Sequence, residues 1–165
     1  MKERLAICPG SFDPVTLGHL DIMTRASKLF DRVIVLVSVN ADKTPCFTAE
    51  ERMDMIREVI KDLPNVSVER LDGLLADYVR EKGACAIVKG LRAMTDFEYE
   101  FQMALINKKL YPDAETVFLV TSSENMYLSS SVVRQVASFG GDISSFVPPE
   151  IAGRIKERLL KPSDK

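Results

Sequence analysis

The sequence predicts an α/β fold: a single doubly wound, Rossmann-like domain over residues 1–165, with a five-stranded parallel sheet and helices on both faces. Three observations carry that expectation. Short apolar, β-branched runs recur along the chain, and segments of helical spacing separate them. The 165 residues are 46% hydrophobic, enough for one compact core.

The strands fall at residues 5–8, 33–39, 66–68, 84–88 and 117–120. Each run is nearly continuous rather than alternating, the pattern of strands buried on both faces. After the first strand, Thr16 caps a helix whose stripe is Leu20, Met23, Ala26 and Phe30. Capping boxes at Thr48-Ala-Glu-Glu51 and Thr95-Asp-Phe-Glu98 announce two later helices, in which hydroxyl and carboxylate each satisfy an orphan backbone donor. Helical segments at 73–82, 130–139 and 148–160 complete the set, the last with proline in its opening turn. Alternation of this kind favours parallel strands joined by right-handed crossovers. Ligands of such sheets bind beyond the carboxyl ends of the strands, here the loops 9–17, 40–47, 71–75, 89–94 and 121–131. Residues 161–165 are polar and read as a frayed tail.

Composition narrows the function. A net charge of −2 offers no basic footprint for nucleic acid. Cys8, Cys46 and Cys85 are far apart and form no CxxC pair, so neither a zinc cluster nor a disulfide framework is indicated, and a reducing cytoplasm suits them. The apolar run before Pro9 is too short for a signal peptide or a membrane span, which leaves a cytoplasmic protein as the expectation.

Chemistry concentrates in four of the loops. The chain's one histidine, His19, follows Gly18 in the first turn of a helix. Free N–H groups and the positive end of the helix dipole there attract phosphate, and His19 can donate to a phosphoryl oxygen as charge builds. Ser11, where the chain leaves the first strand, has a hydroxyl for another phosphate. A lone histidine at a helix start is as often a surface or satisfied core residue, so the neighbouring loops decide. Lys89-Gly90-Leu91-Arg92 follows the fourth strand, and Lys43 the second, giving three cations at one sheet edge of a net-acidic chain. Ser129, Ser130 and Ser131 open a further helix, with Arg134 behind them, and supply a second phosphate cradle. Two helix N-termini and three cations could hold a triphosphate. There is no P-loop, no GxGxxG fingerprint and no Ser-His-Asp arrangement, so positioning and charge stabilisation are expected rather than covalent catalysis.

Thr16-Leu-Gly18-His19 resembles the [TH]xGH signature of the nucleotidyltransferase superfamily, and Ser129-Ser-Ser-Val-Val-Arg134 its ISSTxxR-type signature. Together with GSFDPVTLGHLDIMTRA, KGLRAMTDFEYEFQMALIN and YLSSSVVR, the chain resembles the bacterial phosphopantetheine adenylyltransferases from about Arg4 to about Leu160. That resemblance implies transfer of an adenylyl group from ATP to 4′-phosphopantetheine with Mg²⁺, giving dephospho-coenzyme A and pyrophosphate by direct in-line attack. It implies catalytic roles for His19, Lys43 and Arg92. It places Ser11, Phe12, His19, Gly90, Leu91, Arg92 and Glu100 at the nucleotide, with Asn125, Met126, Tyr127, Leu128, Ser129, Ser130 and Ser131. Ser11, Lys43, Leu75 and Lys89 would meet the acceptor. Serine at 11 and lysine at 89 stand where threonine and arginine are more usual. A homohexamer, feedback by coenzyme A and no membrane or nucleic-acid partner are further implications. Carboxylates such as Asp13 and Glu100 cannot be assigned to a metal from spacing. Two readings compete: the same chemistry on another phosphorylated acceptor, and a nucleotide-binding module without catalysis.

Overall fold

A computed structural model describes residues 2–160, with the side chains of Met94 and Thr95 excepted; the tail expected at 161–165 lies outside the described residues. Five parallel strands, β1 (Leu5–Gly10), β2 (Arg32–Ser38), β3 (Val66–Leu71), β4 (Ala86–Leu91) and β5 (Glu115–Val120), hydrogen-bond in the order β3-β2-β1-β4-β5. The order reverses between β1 and β4, so their carboxyl ends diverge into a crevice at the middle of the sheet.

Among the described residues six α-helices cover both faces: α1 (Leu17–Leu29), α2 (Ala49–Val59), α3 (Leu75–Lys82), α4 (Met94–Leu110), α5 (Ser130–Ser138) and α6 (Pro149–Leu159). Alternate side chains of the central strands divide between two cores. Ala6, Cys8, Val33, Val35, Val37 and Val88 meet Met23 of α1, Ile56 of α2, Val133 of α5 and Ile151 of α6. Leu5, Ile7, Ile34, Leu36 and Ile87 meet Val79 of α3 on the other face. β1 and β2 are buried on both faces as expected, whereas the edge strands β3 and β5 are largely half-exposed. No helix among the described residues is long and apolar enough to cross a membrane.

Three local expectations need correction. β4 runs through Lys89, Gly90 and Leu91, which pair with Phe118, Leu119 and Val120 of β5 instead of starting a loop. β1 likewise continues through Pro9 and Gly10, beside Leu36 and Val37 of β2. The box at Thr95 does not start α4: that helix begins at Met94, two residues earlier than a cap at Thr95 would place it, behind Ala93 and with no side-chain cap bond. The box at Thr48 does form, with both its reciprocal bonds.

α4 has no single apolar stripe: apolar and charged residues alternate around it. Tyr99, Phe101, Leu105, Ile106 and Leu110 are exposed along it, beside an exposed Val120 at the end of edge strand β5.

Candidate active site

The first cradle is built by a capping box in which a histidine takes the place usually held by glutamate or glutamine. Thr16 Oγ1 accepts the His19 N–H at 3.3 Å, and His19 Nδ1 accepts the Thr16 N–H at 3.0 Å. With Nδ1 an acceptor, the neutral ring carries its proton on Nε2, which is left as a donor. Burial, aided by the positive charges of Arg92 and then Lys89, pushes the imidazole pKa down to about 4, so the ring is neutral at pH 7. The Phe12 ring meets it edge-on, with centroids 5.0 Å apart.

Few α1 donors stay open. Leu17 N–H is taken by Phe146 C=O at 2.9 Å and His19 N–H by Thr16, so in that first turn only Gly18 N–H lacks a partner among the described residues. The last loop folds over this turn. A Cβ on Gly18 would stand 3.7 Å from Asn125 Cβ and 3.9 Å from Leu128 Cβ.

The second cradle is α5. Ser129 caps it by accepting Val132 N–H at 3.2 Å, while the N–H groups of Ser130 and Ser131 have no partner among the described residues. Ser130 Oγ donates to Pro14 C=O at 2.7 Å, and Arg134 donates to Asp13 C=O at 2.6 Å and to Ser131 Oγ at 3.2 Å. The two helix openings are thereby fastened to each other through the first loop.

Cations flank the pair. Arg92 donates to Leu128 C=O at 2.5 Å and sits 3.3 Å from an Asp96 oxygen. Lys89 pairs with Glu100 at 3.4 Å. Both lysine and glutamate line a cavity of about 210 Å³ beyond the carboxyl ends of the strands. Leu75, Tyr99, Met103 and Asn107 give it walls that are mainly apolar. The structure therefore brings His19, Lys89 and Arg92 within electrostatic reach of one another, and gathers Leu75, Lys89 and Glu100 in one cavity. Lys43 is not gathered: it stands exposed in the loop between β2 and α2, and its ammonium has no partner among the described residues. Met126 and Tyr127 are exposed, and Ser11 is exposed at the end of β1.

The structural roles of two charged residues were not readable from the sequence. Asp13, buried, accepts Cys46 N–H and Phe47 N–H at 2.9 Å each. Arg52, buried, donates to Ser11 C=O at 2.7 Å, to Ser38 C=O and Phe47 C=O at 3.1 Å each, and to Thr48 C=O at 3.3 Å. A signal for Arg52 was available: it sits one turn before Ile56 on the buried stripe of α2, where a charge has to find partners. Asn107 could not have been told from any other polar residue of α4.

No group of three or more His, Cys, Asp or Glu side chains among the described residues is placed to hold a metal ion. Asp13 spends both oxygens on backbone N–H groups. This donor set does not fit a protein-held metal.

Two helix N-termini, a neutral histidine and flanking cations at the switch point of a doubly wound sheet define a nucleotidyl-transferring class of site. Residues 7–136 match the cytidylyltransferase-like family. Two solved chains share the fold. One, from Vibrio parahaemolyticus, has a TM-score of 0.69 at 21% identity, covering 96% of this chain and 99% of its own. The other, Plasmodium falciparum nicotinic acid mononucleotide adenylyltransferase complexed with NaAD, has a TM-score of 0.70 at 15% identity, covering 95% and 94%.

Sequence relatives are closer. The phosphopantetheine adenylyltransferase of Caldanaerobacter subterraneus subsp. tengcongensis is 55% identical over 96% of this chain and 99% of its own, and that of Clostridium kluyveri is 59% identical over 88% and 89%. The chain belongs to the phosphopantetheine adenylyltransferase family.

Proposed function

We propose that this protein transfers the adenylyl group of ATP to 4′-phosphopantetheine, releasing pyrophosphate and forming dephospho-coenzyme A, with residues 1–165 acting as one nucleotidyltransferase domain. The observation that carries the reading is the pair of helix openings at Gly18 and at Ser130–Ser131, joined through the first loop with His19 beside them. Adjacent to that pair lies a mostly apolar cavity with a lysine, suited to an acceptor that has a phosphate at one end and an amide-rich, flexible chain behind it.

In this reading ATP lies between the cradles. Gly18, Ser130 and Ser131 N–H groups bind its phosphates, with Ser11, Phe12, Gly90, Leu91 and the stretch 125–129 around the nucleotide. Lys89, Leu75 and Ser11 hold the acceptor, and Lys43 reaches in from its exposed loop. An acceptor phosphate oxygen attacks the α-phosphorus in line as the bond to the bridging oxygen of pyrophosphate breaks. The His19 Nε2–H donates to a non-bridging α-oxygen whose charge is greatest when attacking and leaving groups are both partly bonded. A neutral donor already oriented by Thr16 requires no reorganisation at that moment. Arg92 and Lys89 add fixed positive charge, and Glu100 orients Lys89. No residue here is assigned to Mg²⁺; brought with ATP as part of the substrate, it would supply further positive charge to the phosphates. Coenzyme A, which contains the acceptor's own chain, occupies the same cavity as a feedback ligand. The exposed apolar length of α4, next to the open edge of β5, supports assembly into a homohexamer. The reaction and its substrates suit the cytoplasm.

The test is to mix ATP, Mg²⁺ and 4′-phosphopantetheine with wild type and His19→Ala and follow both products. Equal amounts of pyrophosphate and dephospho-coenzyme A, with turnover lower on the order of 10²–10³-fold in the variant, are expected. ATP bound by wild type with neither product formed would overturn the assignment.

A further inference from the structure

Arg52 is a buried cation that has no carboxylate within ion-pair distance among the described residues. Every hydrogen bond of its guanidinium goes to a backbone carbonyl, and these come from three places: Ser11 beyond β1, Ser38 at the end of β2, and Phe47 and Thr48 at the entry to α2. Asp13 performs the opposite task on the same turn. Phe47 gives its N–H to Asp13 and its C=O to Arg52. An anion and a cation thus hold the two poles of one peptide stretch, which fixes the root of the 39–46 loop against the 11–13 loop.

The bond to Ser11 has a consequence for the reacting end. The cis peptide at Asp13–Pro14 lies two bonds further on, and the Ser11–Phe12 peptide is trans. In a trans peptide C=O and N–H point in opposite directions. Drawing the Ser11 carbonyl 2.7 Å onto a buried guanidinium therefore points the Phe12 N–H the opposite way, away from Arg52. That N–H has no partner among the described residues. Phe12 itself holds φ 48°, a region that non-glycine residues seldom occupy and that persists only where surroundings enforce it. Its ring packs against His19.

We propose that Arg52 is a positioning residue for adenylyl transfer: by holding the Ser11 carbonyl inward it presents the Phe12 N–H to a substrate phosphoryl oxygen and seats the Phe12 ring against His19. This rests on the adenylyl-transfer reading for its kinetic consequence, but not for its geometric one. Lysine at 52 keeps the charge and cannot reach all four carbonyls, because an ammonium lacks the planar fork.

Two measurements test it on the full-length protein. In the first, pyrophosphate is titrated into ¹⁵N-labelled wild type and Arg52→Lys. The Phe12 amide proton is expected to shift downfield on binding in wild type and to move far less in the variant. No shift in wild type, or the same shift in both, overturns the proposal whether or not the protein is an adenylyltransferase. In the second, kcat and KM are measured with ATP and 4′-phosphopantetheine. Arg52→Lys, with thermal unfolding still cooperative, is expected to lose kcat on the order of 10–10²-fold with a much smaller change in KM, and millimolar guanidinium is expected to restore part of the kcat of Arg52→Ala. Should Arg52→Ala fail to fold, Arg52→Lys alone answers. Wild-type kcat in a folded Arg52→Lys sinks the inference and leaves the reaction standing. Absence of turnover in wild type sinks the reaction, and the amide titration still decides the inference.

Discussion

The backbone N–H of Thr16 points at Nδ1 of His19 from 3.0 Å, so a helix cap sets which face of the imidazole carries the proton. One residue pair serves two ends: it satisfies an orphan donor at the start of α1, and it fixes the tautomer of the ring.

The pH dependence follows from that pairing. In ¹⁵N spectra His19 should stay the Nε2-protonated neutral form through pH 7 and titrate near 4 rather than 6.5. The sign for stability is definite. The folded pKa lies below the unfolded one, so between pH 6.5 and 4 the unfolded chain binds the extra proton and stability falls with pH. Wild type should lose up to about 3 kcal/mol more than His19→Asn over that interval, measured by denaturant unfolding. Parallel pH curves for the two proteins would contradict the assigned environment.

Lys89 sits in the cavity as a point charge, where a planar fork would grip a phosphate with two bonds. Lys89→Arg is expected to lower the KM for 4′-phosphopantetheine a few-fold, and Lys89→Met to raise it on the order of ten-fold, each with a smaller effect on kcat. Steady-state kinetics with saturating ATP reads both. A KM for ATP that responds instead would move Lys89 to the nucleotide side.

Asp13→Asn replaces a carboxylate oxygen that accepts an N–H with an amide that must donate toward it. One buried N–H, that of Cys46 or Phe47, loses its acceptor, at a cost of about 1–3 kcal/mol in unfolding free energy. Unchanged stability would show that the clamp carries no weight.

Gly10→Ala tests the packing beneath the histidine. The new Cβ would stand 2.9 Å from Cζ of Phe12, whose ring also packs against His19. Overpacking of about 1–3 kcal/mol is expected, with a loss of kcat because the imidazole is displaced along with the ring. A variant as stable and as active as wild type would mean that the ring has room to yield.

For assembly, Phe101→Glu combined with Leu105→Glu puts two charges on the exposed apolar length of α4. Light scattering should find a hexamer for wild type and smaller species for the double variant. A monomeric wild type removes the hexamer from the proposal.

What the sequence made legible was local or periodic. The cap at Thr16 and the box at Thr48 join residues three apart, and the runs around Ile7 and Val35 are continuous enough to read as central strands. The errors arose where two local signals compete. Lys89-Gly90-Leu91 looks like a loop opening because lysine and glycine seldom fill a strand, yet pairing with β5 carries the strand to Leu91. The clamps stayed hidden because their partners are remote: Asp13 and Phe47 are 34 residues apart, and Arg52 and Ser11 are 41 apart, with acceptors that are backbone atoms and leave no mark in residue type.

The bonds from Ser130 to Pro14 and from Arg134 to Asp13 span 116 and 121 residues. A ribosome delivers the first loop, histidine included, at the beginning of synthesis, and its fasteners only after most of the chain has emerged. Until then four strands can have paired around β1 while the first loop and the opening of α5 are still unjoined. A nascent chain interrupted before Ser130 would hold the first loop without either fastener, so the arrangement of the loop's start and of α5 is among the last things synthesis completes.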